Sequence, residues 1–201
     1  MVQHFRPAIV LIVLMTLLTG VLYPFAITGF ANVVFPHRAG GSMILRDGNV
    51  IGSALIGQNF TSDKYFHGRP SATNTPDPND PTKNVDAPYN AANSGASNYG
   101  ATSQALIDRV KADVESWHKA GIAGPIPADA VTTSASGLDP DISPANALLQ
   151  VARVAKARNL PEDKVRAVVT AAIEGRALGV IGEPRVNVLE LNLALDALPA
   201  T

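Results

Sequence analysis

The first 35 residues set the pattern of the chain. From Ala8 to Phe35 the run AIVLIVLMTLLTGVLYPFAITGFANVVF contains no charged residue. A helix of that length reaches about 42 Å, more than a hydrocarbon core of ~30 Å. The pattern therefore predicts one membrane-crossing helix over residues 8–35, with Ala8 to Thr28 in the apolar core and the remainder at the interface. Arg6 and the small-x-small triplet Gly29-Phe30-Ala31 also fit a cleaved signal peptide. The apolar run, however, is about twice the 7–15 residues of a signal core, so a retained anchor is the reading. Arg6 on one side nearly balances His37 and Arg38 on the other, and positive charge marks the orientation weakly. The short tail before the span places residues 1–7 in the cytoplasm and residues 36–201 outside it.

Within the span, Thr16, Thr19, Gly20, Tyr23 and Ile27 recur at helical spacing and form one stripe. Small and hydroxylated side chains allow close helix approach and interhelical hydrogen bonding in lipid, so the stripe is a candidate partner-binding face. Pro24 lacks a backbone donor and is expected to kink the helix.

After the span the period changes. GSMILRDGNVIGSALIGQ alternates β-forming residues around Asp47-Gly48, which predicts a hairpin. Thr61 to Thr102 is polar and rich in Pro, Asn and Gly, with aromatic anchors at Tyr65, Phe66, Tyr89 and Tyr99; it reads as an ordered surface loop. Ser103 to Lys119 carries Leu106, Ile107, Val110, Val114 and Trp117 on one helical face, and Gly121 closes it. A second loop follows to Gly137.

In SASGLDPDISPANA, Ser134 to Ala147, Ser143 is a good N-cap and Pro144 suits the first helical position. Asp139 and Asp141 precede that positive helix end, where carboxylates are favoured. Ser134, Ser136, Asp139, Asp141 and Ser143 thus form a candidate capping or docking loop. Asn159 ends the helix, Pro161-Glu162 starts another running to about Glu174, and NVLELNLALDAL is a final short apolar helix. The fold class is α+β: one N-terminal transmembrane helix followed by a single mixed extracytoplasmic domain.

Composition narrows the chemistry. Sixteen basic and seventeen acidic residues leave no dense cationic stripe, which argues against nucleic acid. No cysteine is present, so disulfides, thiolate zinc sites and cysteine nucleophiles are excluded. Neither a Gly-Lys pair of the Walker kind nor a G-x-G-x-x-G occurs. G-x-S-x-G is absent as well. Ser116 and Lys119 match S-x-x-K but lack the K-T-G and S-D-N partners of the penicillin-recognising enzymes. His4, His37, His67 and His118 are scattered without metal-binding spacing. Asp77-Pro78-Asn79-Asp80 starts like a calcium loop, then places Pro81 where the third ligand belongs.

Six blocks carry a resemblance: TGVLYPFAITG, GSALIGQNF, YFHGRPSA, YNAANSGASNYG, TTSASGLDPDISPANALLQVARVAKAR and PRVNVLELNLALD. In this order, from Leu18 to Ala197, the chain resembles the C subunit of the Kdp-type potassium-transporting ATPase of bacteria. The resemblance implies a single-span accessory subunit of the cytoplasmic (inner) membrane. Its implied partners are a phosphorylatable P-type ATPase subunit, a potassium-selective channel-like subunit and the lipid bilayer. It implies no catalytic residue and no metal or cofactor held directly: the partner subunits handle ATP and potassium. It also implies a role in assembly and in raising the ATP affinity of the ATPase subunit. The family's proposed nucleotide contact is linked to an S-G-G-S stretch, from which Ser94-Gly95-Ala96-Ser97 departs by an alanine. A free-standing anchored binding module and an exported serine hydrolase acting through Ser116 are the competing readings.

Overall fold

The computed structural model describes residues 2–199, and chain contacts divide it between Ser53 and Ala54 into two compact units. The first unit opens with a continuous apolar helix, Phe5–Val34, 30 residues long with a mean hydropathy of 2.4 over its best window. None of that window is buried. The helix comprises α1 (Phe5–Leu17), a π-helical turn (Leu18–Leu22) and α2 (Tyr23–Val34). Pro24 explains the wide turn. It has no N–H to donate, and its ring would meet the carbonyl of Gly20, four residues back. In the π turn the Tyr23 N–H instead reaches the Leu18 carbonyl, five residues back.

A short helix α3 (Pro36–Ala39) leads into strands β1 (Met43–Arg46) and β2 (Asn49–Ser53), which form an antiparallel hairpin. Asp47 and Gly48 both take positive φ, 53° and 79°, the backbone that a two-residue turn of this hand requires.

The second unit begins with polar chain that is ordered by hydrogen bonds. It includes a small hairpin of β3 (Asn74–Pro76) and β4 (Asn84–Asp86). Helix α4 (Gln104–Lys119) follows and closes at Gly121, φ 93°, where the Ile122 N–H bonds back to the Trp117 carbonyl. Its apolar face is only half-buried, and Ile107 remains 38% exposed.

The remaining elements make the core. They are β5 (Asp141–Ile142), α5 (Pro144–Arg158), α6 (Glu162–Ala171), β6 (Ile173–Glu174), β7 (Arg185–Asn187) and α7 (Val188–Asp196). The sheet order is β5-β7-β6, all antiparallel, so the last strand lies between the other two. Ile142 and Ile173 both oppose Val186, a cross-strand row that faces the helices. Val151 and Val154 of α5, Val165 and Val169 of α6, and Leu191 and Leu195 of α7 pack on it with Phe66. Each of these buried side chains contributes about 1.5–3 kcal/mol. Helix α6 stops at Ala171, short of the Glu174 expected from its pattern, because Ile173 and Glu174 pair with Val186 and Arg185. Strand pairing with a distant segment overrides the local helical preference there.

Candidate functional site

The stripe on the long helix is open along its length. Thr16, Thr19, Gly20, Tyr23 and Ile27 are all exposed. Thr16 and Gly20 stand one above the other: a Cβ on Gly20 would meet only the Thr16 Cγ2, at 3.9 Å. The Thr19 hydroxyl donates to the Met15 carbonyl at 2.7 Å, which satisfies its donor inside the helix. The π turn adds a residue to the repeat between Leu18 and Leu22. Tyr23 and Ile27 therefore lie out of strict 3.6-residue register with Thr16 and Thr19, and the stripe bends across the turn rather than running straight.

In the second unit, the loop from Ser134 to Ser143 organises its neighbours. The Ser134 hydroxyl, nearly buried, accepts from the Gly137 N–H at 2.8 Å, and the Ser136 hydroxyl accepts from the Leu138 N–H at 3.1 Å. The carbonyls of this tight turn reach outward. Ser136 O accepts from the Gly95 N–H at 2.9 Å and from the Ser94 hydroxyl at 3.0 Å, and Leu138 O accepts from the Gly57 N–H at 2.8 Å. Ser97 adds a hydroxyl contact to Thr133 at 3.3 Å. The Ser94–Ser97 stretch is thus occupied in holding two loops together.

Ser143 caps α5, accepting from the Asn146 N–H at 3.1 Å. The two aspartates expected at that helix end are engaged elsewhere. Asp139 pairs with Arg69 at 3.0 Å and accepts from the Asp141 N–H. Asp141 lies in β5 and faces Arg185 at 3.1 Å. Burial pushes the Asp141 carboxyl above its ordinary range, with the Arg185 cation pulling the other way. The carboxylate at the α5 N-terminus is Asp129. It accepts from the Ser143 N–H at 2.8 Å, the Ser143 hydroxyl at 2.9 Å and the Asn146 side chain at 3.0 Å. Its distance in sequence hid it.

Arg69 and Tyr89 complete this junction. Arg69 also donates to the Thr133 carbonyl at 3.2 Å. The Tyr89 hydroxyl donates to the Arg69 carbonyl at 2.8 Å, and burial pushes its pKa up to about 12. Glycines make room for the ring: a Cβ on Gly57 would lie 2.5 Å from Tyr89 Cε1 and from the Asp139 carbonyl, and one on Gly68 would strike the Tyr89 hydroxyl.

A second arrangement has no sequence-level expectation behind it. Residues 63–67 are held by side chains of α5 and α7. The Asn192 carboxamide accepts from the Phe66 N–H at 2.8 Å and donates to the Phe66 carbonyl at 3.0 Å. Arg153 donates to the Tyr65 carbonyl, and Arg158 to that of Lys64. Arg158 also lies over the Tyr65 ring at 4.9 Å and pairs with Asp196 at 2.8 Å. The available signal was an amide at a core position: Gln150 beside Val151 on α5, and Asn192 among the leucines of α7.

The residues singled out for chemistry do not converge. Ser116 and Lys119 are exposed on α4, and Lys119 faces Glu115 at 4.0 Å. No group of three or more metal-ligating side chains occurs among the described residues. Asp77 and Asp80 accept local N–H groups from Asn79 and Thr82 and shape the β3–β4 turn. An open cleft of about 630 Å³ beside Trp117, Ile122 and Leu149 includes Arg153, which already serves Asp63, Tyr65 and Gln150.

Comparison with known proteins gives one consistent result. Residues 5–197 match the family described as KdpC, the c chain of the K+-transporting ATPase. The potassium-transporting ATPase KdpC subunit of Methylobacterium nodulans is 63% identical over 98% of this chain and 98% of that protein. Its counterpart in Bradyrhizobium diazoefficiens is 62% identical over the full length of both chains. That of Rhodopseudomonas palustris is 61% identical over 98% of this chain and 99% of the relative.

Proposed function

Because the chain belongs to the KdpC family, the c chain of K+-transporting ATPases, we propose that it works by assembly. It is a non-catalytic subunit of a potassium-transport complex. Its partners in this reading are a phosphorylatable P-type ATPase subunit and a potassium-selective channel-like subunit, which handle ATP and potassium. The helix anchors the chain in the inner membrane, and the second unit lies outside the cytoplasm.

The observation that carries this reading is the 30-residue helix that buries nothing against its own chain. A lone anchor needs only an apolar surface. This helix also carries Thr16 one turn before Gly20 on one side, with Gly20 inside the π turn that sets Tyr23 apart. Small residues let a neighbouring helix approach closely, where dispersion contacts and hydroxyl hydrogen bonds replace lipid. The loops of the second unit are held by internal hydrogen bonds and act as a rigid docking body. Support for ATP use then follows from holding the ATPase subunit in its working conformation, without this chain touching nucleotide.

Replacing both Thr19 and Gly20 by leucine tests the helix face. A tagged chain from potassium-starved native membranes should recover the ATPase and channel-like subunits with potassium-stimulated hydrolysis, and the double variant should lose most of that recovery. Undiminished recovery and hydrolysis would remove the helix face from the account.

A further inference from the structure

The segment between β6 and β7 points to a second contact. Every residue from Glu174 to Arg185 is exposed, yet its tip is apolar: Leu178 is 91% exposed, Val180 74% and Ile181 62%. A hairpin tip needs glycine and polar residues to turn, not three branched aliphatics in water. The arm is also ordered. Ala177 and Ile181 exchange both backbone hydrogen bonds at 2.9 Å, and Arg176 pairs with Glu183 at 2.6 Å across the neck. Gly179 and Gly182 take positive φ, and so does Leu178, at 53°, as the first central residue of the turn that the Val180 N–H closes on the Ala177 carbonyl. Asn, Asp or Gly is the usual residue at such a position, so a leucine there carries a local cost, and such costs concentrate at functional contacts.

We propose that Leu178, Val180 and Ile181 form a preshaped apolar tip that inserts into a pocket on another subunit of the potassium-transport complex. The proposal rests on the accessory-subunit reading above. The charge of the arm chooses between occupants. Segments that enter a lipid interface combine apolar residues with surplus Lys or Arg and with Trp or Phe. The arm EGRALGVIGEPR has neither lysine nor aromatic, and its two cations match its two anions. Both cations are already paired, Arg176 with Glu183, and Arg185 with Glu174 at 2.8 Å. A neutral, rigid, aliphatic tip fits a protein pocket, where prepaid ordering favours affinity.

A photo-crosslinking amino acid at position 178, in the complex purified from potassium-starved native membranes, tests this. The expected result is a light-dependent adduct whose peptides map to another subunit of the complex. Adducts with lipid only, with a second copy of this chain, or with nothing would overturn the tip contact. In parallel, the triple variant Leu178→Ser, Val180→Ser, Ile181→Ser should lower recovery of the partner subunits about 10-fold, with an unchanged circular dichroism spectrum. Undiminished recovery would also overturn it. Should the unsubstituted chain recover no ATPase subunit, the accessory-subunit reading falls, and the tip proposal falls with it. A complete complex without a subunit adduct at 178 removes the tip alone.

Discussion

The carboxamide of Gln150 takes both backbone polar atoms of His67, accepting from its N–H at 2.8 Å and donating to its carbonyl at 3.0 Å. Asn192 does the same for Phe66, so two amides from two helices replace the strand that this extended segment would otherwise need. Gln150 is 1% exposed, and its amide also donates to Asn146. Gln150→Met keeps the length of the side chain and leaves the His67 N–H and carbonyl without partners. Each of the two orphaned backbone groups costs about 1–3 kcal/mol, so a loss of about 2–6 kcal/mol is expected in thermal or denaturant unfolding of the full chain in detergent. A loss under about 1 kcal/mol would mean that water replaces the clamp.

His67 adds a pH dependence to the same clamp. Desolvation, helped by the Arg153 cation, holds its imidazole below the ordinary value of 6.5. As pH falls, the unfolded chain therefore takes up the proton before the folded one does. The stabilising contribution is complete above about pH 6.5 and is lost as pH drops through the lower folded value. The melting temperature should fall on acidification below that point, and His67→Gln should flatten the slope. An identical slope in the variant would place the titration elsewhere.

What could be read in the sequence was local. Asp47-Gly48 announces its turn because both residues tolerate positive φ, and Ser143-Pro144 announces a helix start because the cap bond spans three residues. Asn159 closes α5 in the left-handed region for the same kind of reason. What could not be read joins distant segments. Asp141 pairs with Asn187 and Ile173 with Val186, so neither the sheet order nor the early end of α6 is encoded near those residues. The stripe on the long helix was visible as a spacing, but the π turn that bends it follows from Pro24, which lacks an N–H and whose ring would meet a backbone carbonyl in a regular helix. The apolar run around Leu178 was in plain sight without a periodicity to mark it.

Asp129 gives a direct test of the corrected cap. Asp129→Ala removes the acceptors for the Ser143 N–H, the Ser143 hydroxyl and the Asn146 side chain. Asn146 is 1% exposed, so its amide has no access to water in compensation. A loss of about 1–3 kcal/mol is expected, with part recovered in Asp129→Asn, which keeps one acceptor. Asp139→Ala should leave the α5 cap intact and instead release Arg69. Equal effects of the two alanine variants on α5 hydrogen exchange would contradict this division of roles.

Gly137 is the position where the loop from Ser134 to Leu138 is least replaceable. Its φ is 67°, and a Cβ there would lie 2.5 Å from Thr73 Cγ2, 2.9 Å from the Gly95 carbonyl and 3.2 Å from the Ser71 hydroxyl. The Gly95 carbonyl cannot retreat freely, because the Gly95 N–H is bound to the Ser136 carbonyl. Ser71 is fixed too, donating to the Gly137 carbonyl at 2.8 Å. Gly137→Ala therefore combines a disfavoured backbone with overpacking, and a loss of about 2–4 kcal/mol is expected. Gly124 makes the control, since its Cβ would meet nothing within 4 Å and its φ is not positive. Gly124→Ala should shift stability by no more than about 0.5 kcal/mol. If the second unit docks as a rigid body, Gly137→Ala should also lower recovery of partner subunits at temperatures where Gly124→Ala does not. Loss of stability without loss of recovery would instead confine docking to surfaces away from this loop.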